Sequence, residues 1–504
     1  MRYVVSADEM KRADRKTTEE YGLTPEILIE HAASSVYEKL EASEDLWCKS
    51  AVIFCGTGNN GADGLALSRM LSEGGCDVIC VLVGDRSKAT KENEFELNAA
   101  KKKKVYIATT EDFLKDGCFS FDLVIDAIFG VGLSREVSGE FKTAIAAAER
   151  CEGKKIALDI PSGISSDTGK ILGVAFNADV TYTFSFLKRG MLFYPGRTVS
   201  GKVVLCRCGI AEDALDKDSK VVCIDDFDIP HILPSRSPSS HKGNCGKVLA
   251  VAGSSGMSGA ALFCAQAAYR AGAGLVKIMT HRDNLIPLQG ALPEALYTIY
   301  SDSPDPEAVK EAVQWADVVL IGPGLGKSDI SRQLLESVIT VSEVPMVMDA
   351  DALNLISEDL SLLSKIKGPA VLTPHLKEME RLTGEKASDI EEDMIKSAVT
   401  FADKYRVTVV LKSAVSVIAE PEGKVFINTT GCDALAKGGS GDILSGFTAG
   451  LMAQGGGNES VAAAAAAYIC GKNAEYLAEK MSGRSVMAMD LLDEIGEVLL
   501  SYGK

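Results

Sequence analysis

Short apolar runs alternating with helical patterns limit what this chain can fold into more than any other feature. Ala51–Phe54, Val78–Val83, Val105–Ala108, Leu123–Ile128, Ile156–Ile160, Val180–Phe184 and Val203–Cys206 are short, mostly apolar runs, with Asp126 and Asp159 near the ends of two of them. Strands that bury both faces read this way, so the rhythm predicts an α/β fold with a mostly parallel sheet covered by helices on both sides. Ligands in such sheets sit beyond the carboxyl ends of the strands, which gives most weight to the segments just after these runs. Ahead of them, Ser6-Ala-Asp-Glu9 has capping-box spacing and Thr24-Pro25 supplies a cap and a first-turn proline, so two helices lead the chain.

At 504 residues and 46% hydrophobic, the chain is too long for one ordinary core and should form two or three domains. Regular structure is interrupted at Ile229–Asn244, where Pro230, Pro234 and Pro238 stand with a serine cluster. The expected division is a first domain over 1–220, a linker and domain entry over 221–244, and a second domain over 245–504. A formal charge of −17 disfavours nucleic acid and anionic membranes as partners, so a phosphorylated small molecule must be held by local donors. Thirteen cysteines beginning at Cys48 contain no C-x-x-C pair, and five histidines have no zinc-like spacing; a reduced cytoplasm fits. The N-terminus lacks a signal-peptide core and no apolar run reaches membrane-spanning length, so a soluble protein is expected. Lys101–Lys104 reads as a solvated helix end and Ala462–Ala467 as a closely packed helix.

Gly56-Thr-Gly-Asn-Asn-Gly-Ala-Asp-Gly64 follows the first strand of the rhythm and satisfies G-x-G-x-x-G, which alone suggests an ordinary dinucleotide fold. Asn59, Asn60 and Asp63 add amides and a carboxylate to a turn that usually exposes only backbone, as a cation or polar substrate would require. Two later strand ends, DAIFGVGLSRE from Asp126 and LDIPSGISSDTG from Leu158, converge on the same crevice. Asp126 and Asp159 could instead be strand-end caps or structural carboxylates. The ordered set GNNGADG, DAIFGVGL and DIPSGISSDTG resembles the YjeF N-terminal family of NAD(P)H-hydrate epimerases over roughly residues 1–215. The resemblance implies a Rossmann-like αβα sandwich. It implies that Asn59, Asn60, Gly61, Ala62 and Asp63, with Gly130, Val131, Gly132, Leu133, Ser134, Arg135 and Glu136, bind hydrated NADH or NADPH. It further implies that Asn60, Asp126 and Ser162 lie at a potassium site and that Asp159 contacts the reacting ring as a catalytic residue. Ala62 replaces the second glycine of the family's pair, which a methyl tolerates unless φ is positive there.

The second half repeats strand, glycine turn, helix and strand in HKGNCGKVLAVAGSSGMSGAALFCAQAAYRAGAGLVKI. Near its end, NTTGCDALAKGGSGDILSG (Asn428–Gly446) places glycines and the carboxylate of Asp442 at the start of an apolar helix. Backbone N–H groups there can hold phosphate, and Asp442 can take a proton from a bound hydroxyl. A glycine-rich helix cap would explain a short G-x-G-D on its own. Together with GPGLG, DADALNLI, TPHLKEMERL and TVVLKSAVS, these segments resemble the carbohydrate kinase domain of the ribokinase-like superfamily, in its branch that dehydrates NAD(P)H hydrates. That resemblance spans about residues 225–504 and implies a second αβα sandwich. It implies substrate contacts from Gly324, His375 and the catalytic Asp442. It implies nucleotide contacts from Lys412, Ser413, Ala414, Val415 and Ser416, and from Cys432, Lys437, Gly438, Gly439, Ser440 and Gly441. His375 could instead be a satisfied structural histidine.

Together the halves imply a bifunctional metabolite-repair enzyme acting on NADHX and NADPHX, with potassium in the first domain and ADP, favoured over ATP, with magnesium in the second. A cytoplasmic homo-oligomer is expected. Cys432-Asp433 stands where the family often has Asn-Pro, and Lys437 where it has Thr; Asp433 beside phosphates needs Lys437 or magnesium to offset its charge. Cys432 has no base evident nearby and reads as a small buried thiol. The rival readings are a small-molecule kinase, and a non-catalytic binding or assembly module in the first half.

Overall fold

The computed structural model describes residues 1–43, 46–47, 49–103, 105–216, 219–455 and 458–503. Cys48 and Lys104, named above, lie outside the described residues. The chain forms two compact units, Arg2–Ser219 and Lys220–Lys504, the second including Met1.

The first unit contains β1 (Arg2–Val5), β2 (Ser50–Cys55), β3 (Asp77–Leu82), β4 (Tyr106–Thr109), β5 (Ser120–Ala127), β6 (Glu152–Leu158), β7 (Val180–Phe184), β8 (Leu187–Lys188) and β9 (Lys202–Cys206). Seven of them run in the order β4-β3-β2-β5-β6-β7-β9, with every ladder parallel. Val52, Phe54 and Val124 pack on one side of this sheet with Ile145 and Phe176. Their neighbours Ala51, Ile53, Leu123 and Ile125 pack on the other with Val36, Leu40 and Leu67. Period-two alternation therefore feeds two cores at once, and the runs look continuous in sequence because neither face meets water. A separate parallel pair sets Val4 opposite Leu187 and Val5 opposite Lys188. The leading helices are Ala7–Tyr21, with the Ser6–Glu9 capping box formed, and Pro25–Ser43.

The second unit contains β10 (Val221–Cys223), β11 (Lys247–Val251), β12 (Leu275–His281), β13 (Leu296–Tyr300), β14 (Val318–Ile321), β15 (Met346–Met348), β16 (Ala370–Leu372), β17 (Thr408–Leu411), β18 (Ser416–Ala419) and β19 (Val425–Asn428). Within it the order is β13-β12-β11-β14-β15-β16-β17-β18-β19-β10. β17, β18 and β19 form an antiparallel meander and β10 lies parallel to β19. The segment 221–244 is thus not all linker: Val221–Cys223 is buried and paired in the sheet, a run too short to register as a strand from its composition.

The helix Ser440–Ala453 lies directly on the helix Ser258–Ala271. A Cβ on Gly446 would come within 2.1 Å of the Cys264 carbonyl, and one on Gly450 within 2.6 Å of the Ala268 carbonyl, so the two backbones touch where side chains would separate them. Ala462–Ala467 lie buried in the helix Glu459–Lys480. Among the described residues, no helix is long and apolar enough to cross a membrane.

Candidate functional site

In the first unit the ends of β2, β5 and β6 meet at a cavity of about 770 Å³ lined by Asn59, Asn60, Asp63, Gly130 and Asp159, and by Asp14 from the helix Ala7–Tyr21. Gly58 caps the helix Asn59–Glu73, so Asn60 and Asp63 project from its first turns, close to the positive end of the helix dipole. Ala62 is buried inside that helix and is not among the residues with positive φ, so its methyl is accommodated. Val131, Gly132 and Leu133 also line this cavity. Arg135 and Glu136 line a second one of about 400 Å³ with Gly84 and Phe141. Ser134 is exposed and belongs to neither lining.

Asp159, directly after β6, has φ 63°, a left-handed conformation that a non-glycine residue adopts only when its surroundings hold it there. Its Oδ1 accepts hydrogen bonds from the Phe184 N–H at 3.3 Å and from Lys188 Nζ at 2.5 Å. Lys188 is fully buried and also donates to Thr183 Oγ1 at 3.0 Å and the Phe184 carbonyl at 2.8 Å. Burial, then the neighbouring Asp159 and Asp14 charges, push the Asp63 carboxyl well above its ordinary value, toward the protonated form. Burial and Asp159 raise Asp14 to about 6, against the pull of Lys188.

The groups implied at a cation site cluster tightly. Asp126 Oδ1 accepts from Ser162 Oγ at 2.7 Å and the Ile128 N–H at 3.1 Å, and its Oδ2 from the Ser162 N–H at 2.7 Å. Burial lifts Asp126 to about 6 despite these donors. Asn60 spends its amide N–H groups on the Phe129 and Leu158 carbonyls at 2.9 and 3.2 Å. Its Oδ1 is left buried with no hydrogen-bond partner, which a native structure seldom tolerates without an ion or water there.

In the second unit Asp442 occupies the first turn of the helix Ser440–Ala453, behind Gly439 at φ 96°. A Cβ on Gly441 would lie 3.4 Å from Lys412 Nζ and 3.8 Å from Asp349 Oδ2, so this turn reaches the acidic end of β15. Lys412 Nζ is 2.9 Å from Asp349 Oδ1. Burial, then Asp349, raise the Asp442 carboxyl to about 7, partly offset by Lys412. Its carboxylate neighbours outweigh desolvation at Lys412 and raise its pKa, Asp349 foremost among them. The Ser440 hydroxyl is buried and unpartnered. Gly322 and Gly324 have φ of 126° and 59°, and a Cβ on Gly324 would sit 2.8 Å from that of Ala260.

His375 caps the helix Leu376–Thr383, its Nδ1 accepting from the Lys377 and Glu378 N–H groups while Glu378 accepts from the His375 N–H. Half its side chain is still exposed, so the cap leaves the outer ring edge available. Ser413 and Ala414 are exposed in the turn before β18, while Val415 is buried. Lys437 donates to the Arg484 carbonyl at 2.6 Å rather than to Asp433. Cys432 is only partly buried, with its thiol on the Ala474 carbonyl at 3.5 Å. Asp14, Lys188, Asp349 and Glu378 were not singled out from sequence. The one available signal was Lys188: like Lys412, it is a lysine at the end of an apolar run.

The family model for the YjeF-related protein N-terminus matches residues 25–190, and that for NAD(P)H-hydrate dehydratase matches residues 248–497. The bifunctional NAD(P)H-hydrate repair enzyme of Thermofilum pendens is 35% identical, the alignment covering 98% of this chain and 96% of the relative. The chain belongs to the bifunctional NAD(P)H-hydrate repair enzyme family. The Escherichia coli repair enzyme is 32% identical over 98% of this chain and 93% of its own length. A hypothetical protein from Streptococcus mutans superposes with a TM-score of 0.51 at 31% identity, covering 56% of this chain and 100% of that one. A ribokinase-like superfamily protein from Enterococcus faecalis gives 0.50 at 27%, covering 57% and 97%. As a repair-enzyme family member the chain carries both family regions, and each cluster described above is built from residues of one unit alone.

Proposed function

We propose that the first unit interconverts the R and S epimers of hydrated NADH and NADPH, and that the second dehydrates the S epimer at the expense of ADP or, less favourably, ATP. The epimerase domain is assigned to 1–220 and the dehydratase domain to 245–504, with 221–244 as its entry. The observation carrying the dehydratase reading is Asp442, raised to about 7 at a helix start beside the unpartnered Ser440 hydroxyl. A carboxylate poised near neutral pH suits a general base, and the helix N-terminus suits phosphate. Asp442 takes the proton of the C6 hydroxyl as its oxygen attacks the terminal phosphorus of the nucleotide. The C6–O bond then breaks with phosphate as leaving group, and loss of a proton from C5 restores the dihydropyridine. The phosphoryl group makes a poor leaving group into a good one.

Lys412, the turn 413–416 and the segment 432–441 are assigned to the nucleotide, and Gly324 and His375 to the substrate. Magnesium would come with the phosphates, needing only one or two carboxylates from the protein; Glu378 is a suitable donor, which leaves Asp442 free to act as the base. In the first unit the hydrated nucleotide is assigned to 59–63, 130–136 and Asp159. Potassium suits the orphaned Asn60 Oδ1 with Asp126 and Ser162, where it would balance carboxylate charge next to an anionic substrate.

The test is to incubate the full chain with mixed NADHX epimers and ADP or ATP, following the absorbance of restored NADH. Recovery of all the hydrate supports both activities. Recovery of the S fraction alone removes the epimerase assignment, and accumulation of a stable phosphorylated product with no NADH favours a kinase.

A further inference from the structure

Three carboxyl groups from three separate elements face the first-unit cavity: Asp14 from the helix Ala7–Tyr21, Asp63 from the helix Asn59–Glu73, and Asp159 after β6. Among the described residues, one buried ammonium, Lys188, is set among these carboxyls, and it is committed to Asp159. Neither Asp14 nor Asp63 has a hydrogen bond to its carboxyl oxygens among the described residues, although Asp63 is only 8% exposed. Three carboxyls facing one cavity, with Asp63 buried, Asp14 part-buried and donors only on Asp159, do not all carry charge at once, and such a cluster sorts into proton holders and proton acceptors. Asp63 is the holder and Asp14 the acceptor by the environments described above. Asp14 also lies before residue 25, where the family match begins.

We propose that Asp14 is a further catalytic residue of the epimerase site, the base that removes the proton from the C6 hydroxyl of the hydrate while Asp63 supplies a proton to the ring nitrogen. This rests on the epimerase reading above. A C6 hydroxyl on a carbon bonded to N1 is a carbinolamine. When Asp14 takes the hydroxyl proton, the oxygen electrons form the C6=O double bond and the C6–N1 bond breaks. Its electron pair goes to N1, which receives the proton of Asp63. Rotation of the freed aldehyde presents its other face. N1 then attacks C6, Asp63 recovers its proton, and Asp14 returns the first proton to the oxygen. Atoms, electrons and protons balance, and only the configuration at C6 has changed. Asp159, held by Lys188, stays beside the ring as a fixed charge.

The titratable groups around Asp14 are Asp63, Asp159 and Lys188 from the other elements, Cys208, which also lines the cavity, and Lys11, Arg15 and Glu19, which line it from its own helix. The experiment compares wild type, Asp14→Asn and Asp14→Glu in the full chain, monitoring conversion of R-NADHX to S-NADHX by chromatography from pH 5 to 8. Nucleotide-dependent dehydration of S-NADHX normalises the amount of chain assayed, and the melting curve of the first unit together with the Glu variant serves as the folding control. The expected result is a fall in kcat of about 100-fold in Asp14→Asn with KM changed less than about threefold. An acidic limb near pH 6 should be lost with it, and the Glu variant should regain at least a tenth of the activity. If wild type epimerises and Asp14→Asn keeps its rate and pH profile, the role of Asp14 is overturned and the epimerase reading stands. If wild type does not epimerise, that reading itself fails.

Discussion

Lys412 and Asp349 form a nearly dry ion pair, Nζ to Oδ1 2.9 Å, with the Asp349 side chain only 2% exposed. The pair couples β15 to the end of β17 and leaves Asp442 facing one negative and one positive neighbour. Coulomb interaction at such burial is several times stronger than in water, so the proton affinity of Asp442 depends on both partners.

Asp349→Asn removes the like charge that raises Asp442 and leaves Lys412 to favour the ionised form. As a base Asp442 works when deprotonated, so dehydration should decline below about pH 7. In the variant that decline should move to lower pH by on the order of one unit. An acidic limb that stays in place or moves upward would show that Asp349 does not set this ionisation.

Asp442→Asn should abolish dehydration while sparing epimerisation, with a loss of at least ~10²–10⁴-fold. Both reactions are read on one preparation, and an unchanged melting transition of the fragment 220–504 carrying the same substitution shows that the second unit is still folded. A variant that dehydrates at more than about a tenth of the parent rate would reduce Asp442 to a helix-start residue.

Potassium should stabilise the first unit, and more so at alkaline pH. Asp126 is raised from an ordinary value of 3.8 to about 6, so between those values the native state holds a proton that the unfolded chain has released. Stability from this group is therefore lost as pH rises through 6, when a buried carboxylate appears. A cation bound there relieves that charge. At 100 times its Kd it would add about 2.7 kcal/mol, roughly 5–10 °C in Tm. Melting curves in potassium, sodium and a bulky organic cation at matched ionic strength should separate at pH 8 and converge near pH 5. Asp126→Ala should remove the difference, and coincident curves at pH 8 in wild type would discard the cation site.

Fragments 1–219 and 220–504, cut where the two units divide, should each be soluble and monofunctional: the first epimerising, the second dehydrating only S-NADHX. A soluble first fragment that binds the hydrate without epimerising it would favour a binding module instead.

The central strands of both units were readable because parallel strands buried on two faces leave apolar runs, while Arg2–Val5, Leu187–Lys188 and Leu296–Tyr300 were not read as strands. Val221–Cys223 escaped because three residues carry no periodicity. The motif residues Asn60, Asp126, Asp159 and Asp442 stand at strand ends or helix starts, where local pattern and chemistry coincide. Asp14 and Lys188 were missed for the opposite reason. Nothing around Asp14 in sequence differs from the solvated face of an amphipathic helix, and only the cavity beneath it makes it special. Lys188 shows the pattern used for Lys412, a lysine ending an apolar run, but its partner Asp159 lies 29 residues earlier and only the tertiary fold unites them.

Gly446 and Gly450 let the helix bearing Asp442 rest main chain to main chain on the helix Ser258–Ala271. The spacing between these two rods is then dictated by carbonyl and Cα radii, quantities that do not vary from one side chain to the next. Repacking elsewhere in the second unit can proceed without displacing the reactive carboxylate. A methyl at either glycine would act as a shim, tilting the rod and carrying its N-terminal end away from whatever is bound there.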